Sequence, residues 1–167
     1  IEVSERIDQA RQQHLDRLLL PWQRYVHALL GEDHEPRIHF RAGWPKDHSL
    51  AEALLTAERR ELDAGHTVVG PHRADVRLQL DGRQVRHQAS RGQQKALVLA
   101  LLLAQSEVVA AQLKQTPLML IDDFGAEWGA GMRGRAAELL NESGAQWIST
   151  WLDQPDVDMD QMFHVEH

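Results

Sequence analysis

The sequence predicts an α/β fold in which parallel strands alternate with helices and a β-hairpin is attached. Three observations carry that prediction. The stretch Leu118-Met119-Leu120-Ile121-Asp122-Asp123 runs four apolar residues into two acids. A buried parallel strand has this form when it delivers carboxylates to the ligand-binding edge of such a sheet. A helical segment from about Met132 to Glu142, then Gly144 and a strand from Gln146 to Ser149, follow it. Such a strand–helix–strand run implies a right-handed crossover between neighbouring parallel strands. Upstream, Ser90 and Gln93 form a capping box at the head of a long apolar segment, so a helix is expected from Arg91 to Leu113.

The remaining elements follow in order. Residues 3–30 read as helix, with Ile7, Ala10, Leu15, Leu18 and Leu19 near helical spacing. Pro21 is expected to start a second helical piece that Gly31 stops. Arg37 to Arg41 is a strand candidate, with a loop through Gly43-Trp44-Pro45 behind it. Ser49 and Glu52 make an earlier capping box, opening a helix to about Asp63 before Gly65. Val76, Leu78 and Leu80 alternate with polar neighbours, and Asp81-Gly82 turns the chain into a second strand, Gln84 to Gln88. That is a hairpin signal. A last short strand is expected from Met162 to Glu166.

A chain of 167 residues suffices for one buried domain, or for a lobe with a small appended unit. With 26% charged and 43% hydrophobic residues it has the composition of a globular protein. The longest apolar run, Ala96 to Ala104, is too short for a membrane span, and no signal-peptide pattern opens the chain. Ile1 rather than Met at the start leads us to expect an excised piece of a longer protein. The absence of cysteine excludes disulfides and thiolate metal sites, and suits a reducing cytoplasm. The ten histidines lack H-x-x-x-H spacing, which argues against zinc.

The net charge of −7 weighs against a dedicated nucleic-acid binder, but the charge is unevenly spread. Between residues 70 and 106, Arg73, Arg77, Arg83, Arg86, Arg91 and Lys95 face only Asp75 and Asp81. That excess permits a local phosphate-binding surface; a solvated face is an equal alternative.

Two segments bear chemistry. Leu118–Asp123 reads as a Walker B strand, in which one acid holds Mg²⁺ and the next orients or deprotonates a water. Ser90-Arg91-Gly92-Gln93-Gln94-Lys95 reads as an ABC-type signature motif. Its first-turn N–H groups and the positive helix end could receive a phosphate, and Gly92 allows close backbone approach. Taken alone, the segment is more often a plain capped helix. No G-x-x-x-x-G-K-S/T phosphate loop occurs in the chain.

With these residues in view, the chain resembles the C-terminal part of the RecF family, recombination-repair ATPases related to SMC-type and ABC-type heads. The resemblance rests on Gly43-Trp44, Thr67-Val68-Val69-Gly70-Pro71-His72-Arg73-Ala74-Asp75 and the signature with the following Ala100-Leu101-Leu102-Leu103-Ala104-Gln105. It also includes Leu120-Ile121-Asp122-Asp123 and the closing Phe163-His164-Val165-Glu166. It implies the C-terminal lobe of an ABC-type ATPase head over residues 64–167, with part of a helical arm over 1–63. It implies a cytoplasmic protein of DNA replication, recombination, repair and the SOS response. Such a protein dimerises with ATP on gapped DNA or single-strand/double-strand junctions, and helps load RecA with RecO and RecR. By the same resemblance, Ser90, Arg91, Gly92 and Gln93 would bind the γ-phosphate held by an opposite protomer. Asp122 would position Mg²⁺, Asp123 would lie beside the attacking water, and Thr150 stands where related ATPases place a γ-phosphate sensor. A lone Thr after a strand is more often an ordinary loop residue. Gly70-Pro71 reads as a rigid turn, while His72 and Arg73, with Arg77 and Arg83, are candidates for DNA or interface contacts.

The chain departs from the family pattern in two places. Lacking the nucleotide loop, it is expected to use ATP and Mg²⁺ only together with an N-terminal half. Where the family has a S-E-L-D-like loop after the Walker B acids, this chain has Ala126-Glu127-Trp128-Gly129, which bears on coupling between two active sites. A non-catalytic protein-interaction or DNA-binding module with an inert half-site is the competing reading. An ABC transporter head fits less well, because residues 1–63 do not match a transporter's short helical subdomain.

Overall fold

The computed structural model describes residues 1–151, 154–161 and 163. Its elements run α1 (Glu2–Leu30), β1 (Pro36–Arg41), α2 (Leu50–Ala64), a 3-10 turn over Pro71–Arg73 and β2 (Asp75–Leu80). Then come β3 (Arg83–Gln84), α3 (Val85–Gln88), α4 (Arg91–Leu113), β4 (Met119–Ile121), α5 (Ala130–Glu142) and β5 (Trp147–Ser149). Two compact units interleave along the chain, one of residues 1–20 and 34–89, the other of 21–33 and 90–167.

The first unit holds a three-stranded antiparallel sheet in the order β1-β2-β3. Asp81 and Gly82 both have positive φ, 54° and 73°, which is what a two-residue turn twisted to match its strands requires. The Asp81 carboxylate accepts from the Glu35 N–H at 2.8 Å and pairs with His34 Nδ1 at 2.8 Å. These partners, the Glu35 N–H first, hold the carboxyl below its ordinary value. Helix α2 starts at the Ser49–Glu52 capping box and ends at Gly65 in the left-handed conformation, φ 69°. Its buried Leu50, Ala53 and Ala57 pack with Val69, Trp44, Leu54 and Val68. The Glu61 carboxylate ties the following loop back to the helix by accepting from Val68 N and Val69 N at 2.7 and 3.1 Å.

In the second unit α4 is the central apolar element, with Leu97, Ala100, Leu103 and Ala104 fully buried. By length and composition α4 could cross a membrane, which corrects the expectation that no apolar segment is long enough. Its buried residues mark it as a core helix. The end of α1 joins this core through Trp22, Val26 and Leu29, and the Trp22 indole N–H donates to Leu97 O at 3.2 Å. Strands β4 and β5 pair in parallel, Met119 opposite Trp147 and Leu120 opposite Ile148. The expected strand–helix–strand unit is therefore present.

The structure corrects several boundaries. Helix α1 runs continuously through Pro21 instead of restarting there. An interior proline costs roughly 3 kcal/mol. Burying Leu18, Trp22, Val26 and Leu29 along one stripe offsets it at about 1.5–3 kcal/mol for each large side chain. The second hairpin arm is only two residues long; Val85–Gln88, expected as strand, is a helical turn that buries Val85. Strand β4 is shorter than 118–122 and is not buried on both faces. Leu118, Leu120 and Ile148 are 53%, 70% and 54% exposed, because this two-stranded sheet has cover on one side only. The strand expected over 162–166 lies outside the described residues, apart from Phe163.

Within the first unit, Gly70 N donates to Gly43 O at 3.2 Å. A Cβ on Gly43, whose φ is 98°, would stand 2.1 Å from Gly70 O and 2.9 Å from Ala74 N. Only glycine fits there. Gly43→Ala is therefore expected to destabilise the protein by about 1–3 kcal/mol. Gly65→Ala, at a positive φ with open space around it, should cost about 1 kcal/mol. Denaturant midpoints of the two variants check the difference.

Candidate functional site: the signature helix and the acidic loop

The site is built on the start of α4. Ser90 Oγ accepts from Gln93 N at 3.2 Å and Gln93 Oε1 accepts from Ser90 N at 3.0 Å. This reciprocal cap satisfies two groups that a helix start otherwise leaves open. The N–H groups of Arg91 and Gly92 belong to the first turn, where no intrahelical acceptor exists. Four signature residues, Ser90, Arg91, Gly92 and Gln93, thus share one helix start.

Asp122 and Asp123 follow β4 directly, and both are exposed. Thr150, just after β5, joins them. Its hydroxyl donates to Asp122 Oδ1 at 2.5 Å and accepts from Asp123 N at 2.8 Å. The backbone repeats the connection, with Thr150 N donating to Ile121 O at 3.1 Å and Phe124 N to Thr150 O at 3.0 Å. The structure thus brings together the three residues singled out as metal-binding, catalytic and sensor candidates. Asp123 adopts a left-handed backbone, φ 49°, which Asp tolerates better than most residues.

The signature start also meets the loop that follows these acids. Lys95 Nζ donates to Asp123 O, and to Ala126 O at 3.3 Å. The Trp128 indole N–H donates to Gly92 O at 2.9 Å, and Lys95 Nζ lies 5.3 Å from the centre of that ring, within cation–π range. A Cβ on Gly92 would come within 3.1 Å of Glu127 O, so Gly92 gives the loop room to approach. Arg91 reaches Glu127 at 3.8 Å. Beneath the loop, fully buried Phe124 touches Trp128, Trp147 and Trp151 at ring-centre distances of 5.7, 5.5 and 5.0 Å. Lys95 and Trp128 were not among the candidate site residues. The lysine belongs to the signature string and the tryptophan to the divergent A-E-W-G segment; neither signal specifies the contact.

The other candidates lie in the first unit and are described there. Gly70, Pro71, His72 and Arg73 form the 3-10 turn, Arg73 N donating to Gly70 O at 2.9 Å. His72 Nε2 lies 3.2 Å from Thr67 Oγ1, and Arg73 donates to Thr67 O at 3.2 Å. Both side chains thus brace the turn while staying exposed. Arg77 and Arg83 do not share a sheet face. Arg77 stands opposite His39, in the row that holds Arg37, Arg41, Asp75 and Gln79, whereas Arg83 stands opposite Leu80. Exposed ion pairs link Arg77 to Asp75 at 3.4 Å and Arg37 to Glu35 at 2.5 Å.

The donor set near Asp122 suits Mg²⁺ held jointly with a nucleotide. Among the described residues no three His, Asp or Glu side chains converge as a metal site. Mg²⁺, however, is commonly bound by one or two carboxylates plus phosphate oxygens and water. The exposed Asp122 carboxylate beside a hydroxyl fits that requirement.

No protein-family model matches the chain. Curated relatives do match it: it is 40% identical over 171 aligned residues to the DNA replication and repair protein RecF of Thioalkalivibrio sulfidiphilus, covering 99% of this chain and 47% of the relative. It is 33% identical to RecF of Vibrio parahaemolyticus and 34% to that of Shewanella frigidimarina, again over 99% of the chain. The chain is RecF-like throughout. It spans about half the length of these RecF relatives. Solved structures of the recombination mediator protein RecF in the RecFOR pathway, one with ATP and one with ATPrS, share its fold. With each the TM-score is 0.72 at 23% identity, over 94% and 95% of this chain and 44% of the solved RecF chain.

The Thr150 hydroxyl serves two groups at once. Thr150→Val is expected to lower stability by about 1 kcal/mol, while Thr150→Ser, which keeps the hydroxyl, should recover most of that loss. Urea denaturation of the two variants measures it.

Proposed function

We propose that this chain is the C-terminal portion of a RecF-like, ATP-dependent DNA-binding protein of recombinational repair. The observation that supports it most is the joining of signature start, paired acids and Thr150 in one unit of a RecF-like chain. In this reading residues 1–63 belong to a helical arm and 64–167 to the C-terminal lobe of the ATPase head. Ser90, Arg91, Gly92 and Gln93 face the γ-phosphate of a nucleotide bound by a second protomer. Asp122 holds Mg²⁺, which would neutralise phosphate charge; Asp123 orients the water, and Thr150 keeps both acids in register. ATP is bound only with the N-terminal half that carries the phosphate loop. The protein closes as a homodimer on gapped or junction DNA in the cytoplasm and acts with RecO and RecR to load RecA.

The exposed apolar residues Leu118, Leu120 and Ile148 are consistent with a sheet that continues into that other half. The competing reading, a non-catalytic module with an inert half-site, predicts no hydrolysis when both halves are present. In the full-length protein, Asp123→Asn should preserve ATP-driven dimerisation, read by light scattering, and slow ATP turnover about a hundredfold. Normal turnover in that variant would refute the assignment of Asp123.

DNA contact is expected from the sheet row of Arg37, His39, Arg41 and Arg77. Phosphate contacts are independent of sequence and weaken with salt, each contributing roughly 0.9 to the slope of log affinity against log salt. Arg37→Ala with Arg77→Ala should weaken binding of a gapped duplex and flatten that slope. Arg83→Ala, on the opposite face, should leave it unchanged. Binding titrations across a salt series separate the two outcomes.

A further inference from the structure

Lys95 has no part in the capping box, yet its ammonium is half-buried between two motifs. A half-buried ammonium needs acceptors, and it has three donors to place. Here two go to main-chain carbonyls, Asp123 O and Ala126 O, and the group lies against the Trp128 ring. Both carbonyls belong to the loop behind the paired acids. The Asp123 backbone is in the left-handed region, a less populated conformation that contacts around it help to hold. Those contacts are Thr150 Oγ1 on the N–H, and on the carbonyl the Lys95 ammonium together with the Ala126 N–H at 3.1 Å. Among the described residues the Asp123 carboxylate itself takes part in no hydrogen bond.

The helix that carries Lys95 presents its residues in two sets. Arg91, Gly92 and Lys95, spaced as neighbours on one helix side, all meet residues 123–128. Ser90 and Gln93 cap the start through their reciprocal side-chain hydrogen bonds. One set fastens the loop, and the other is left at the phosphate-facing end.

We propose that Lys95 is a positioning residue: it fixes the backbone of Asp123, and so the aim of its carboxylate, to the start of the signature helix. This rests on the reading of Asp123 as the residue that orients water. Under that reading the signature start serves the nucleotide of a second protomer and Asp123 serves its own. One cation therefore links groups acting on two different nucleotides.

The test uses the full-length protein. Lys95→Met keeps the length and apolar body of the side chain and removes every donor. Lys95→Arg restores donors that can reach both carbonyls from a planar fork. Two measurements are made on each: amide hydrogen exchange at 123–128, and steady-state ATP hydrolysis with DNA. Lys95→Met is expected to exchange faster at 123–128 and at wild-type rates in the first unit. Its kcat should fall about hundredfold, the scale set by a misplacement of about an ångström, with KM for ATP near the wild-type value. Lys95→Arg should recover most of both. A purely structural role would instead lower the thermal midpoint without splitting kcat from KM, and would overturn the proposal. So would unchanged exchange and unchanged kcat in Lys95→Met while the wild type is active. A wild type that hydrolyses no ATP would refute the functional reading itself, and with it the role given to Lys95. If Lys95→Met does not fold, Lys95→Arg decides: wild-type exchange and kcat support the proposal, and wild-type exchange with a collapsed kcat refutes it.

Discussion

The reciprocal capping of Ser90 and Gln93 fixes the residue at which α4 begins, and the contacts of the second unit are referenced to that start. Helix α4 is apolar over most of its surface, so its leucines and alanines offer several nearly equivalent ways to pack. A start displaced by one residue would turn every side chain by about 100°. Lys95 would then leave Asp123 O and Ala126 O, and Gly92 would no longer lie under Glu127 and Trp128. A polar lock at one end therefore selects among apolar alternatives that burial alone scarcely distinguishes.

The features legible in the sequence are those decided locally. Both capping boxes, the left-handed glycine after α2 and the Asp81-Gly82 turn depend on residues within a few positions of one another. They appear where their chemistry requires. The strand–helix–strand run was legible because its period changes between strand and helix are long enough to read. Boundaries set by distant partners were not. Pro21 argues locally for a break, and only the burial of Trp22, Val26 and Leu29 keeps α1 whole. The alternation of Val76, Leu78 and Leu80 suggested a longer hairpin, but β2 pairs mainly with β1, across an intervening helix.

The candidate site shows the same division. Asp122, Asp123 and the signature residues were legible because their chemistry is carried by type and spacing. Thr150 could be placed by analogy only; its hydrogen bonds to both acids require β5 to lie beside β4. The contact of Lys95 with two carbonyls was invisible, since a carbonyl has no sequence signature. Likewise Arg77 and Arg83 looked like one patch, until the register put them on opposite faces. Such exposed groups also contribute little to stability. The pair of Arg24 with Glu107 is solvent-accessible on both sides, and pairs of that kind are worth at most about 1 kcal/mol.

The left-handed backbone at Asp123 restricts which acid can occupy that place. Aspartate and asparagine visit this conformation more readily than longer side chains, because their short polar groups interact with the local main chain. Lengthening the acid by one methylene would therefore tax the turn as well as move the carboxylate. Glutamate can hold such a backbone, as Glu127 does in the same loop at φ 69°, but at 123 it would carry its carboxylate one methylene further from the main chain that Thr150 and Lys95 hold. The shorter acid is, in that sense, inherited with the shape of the turn, and the three residues would be expected to change together in lineages where any one of them changes.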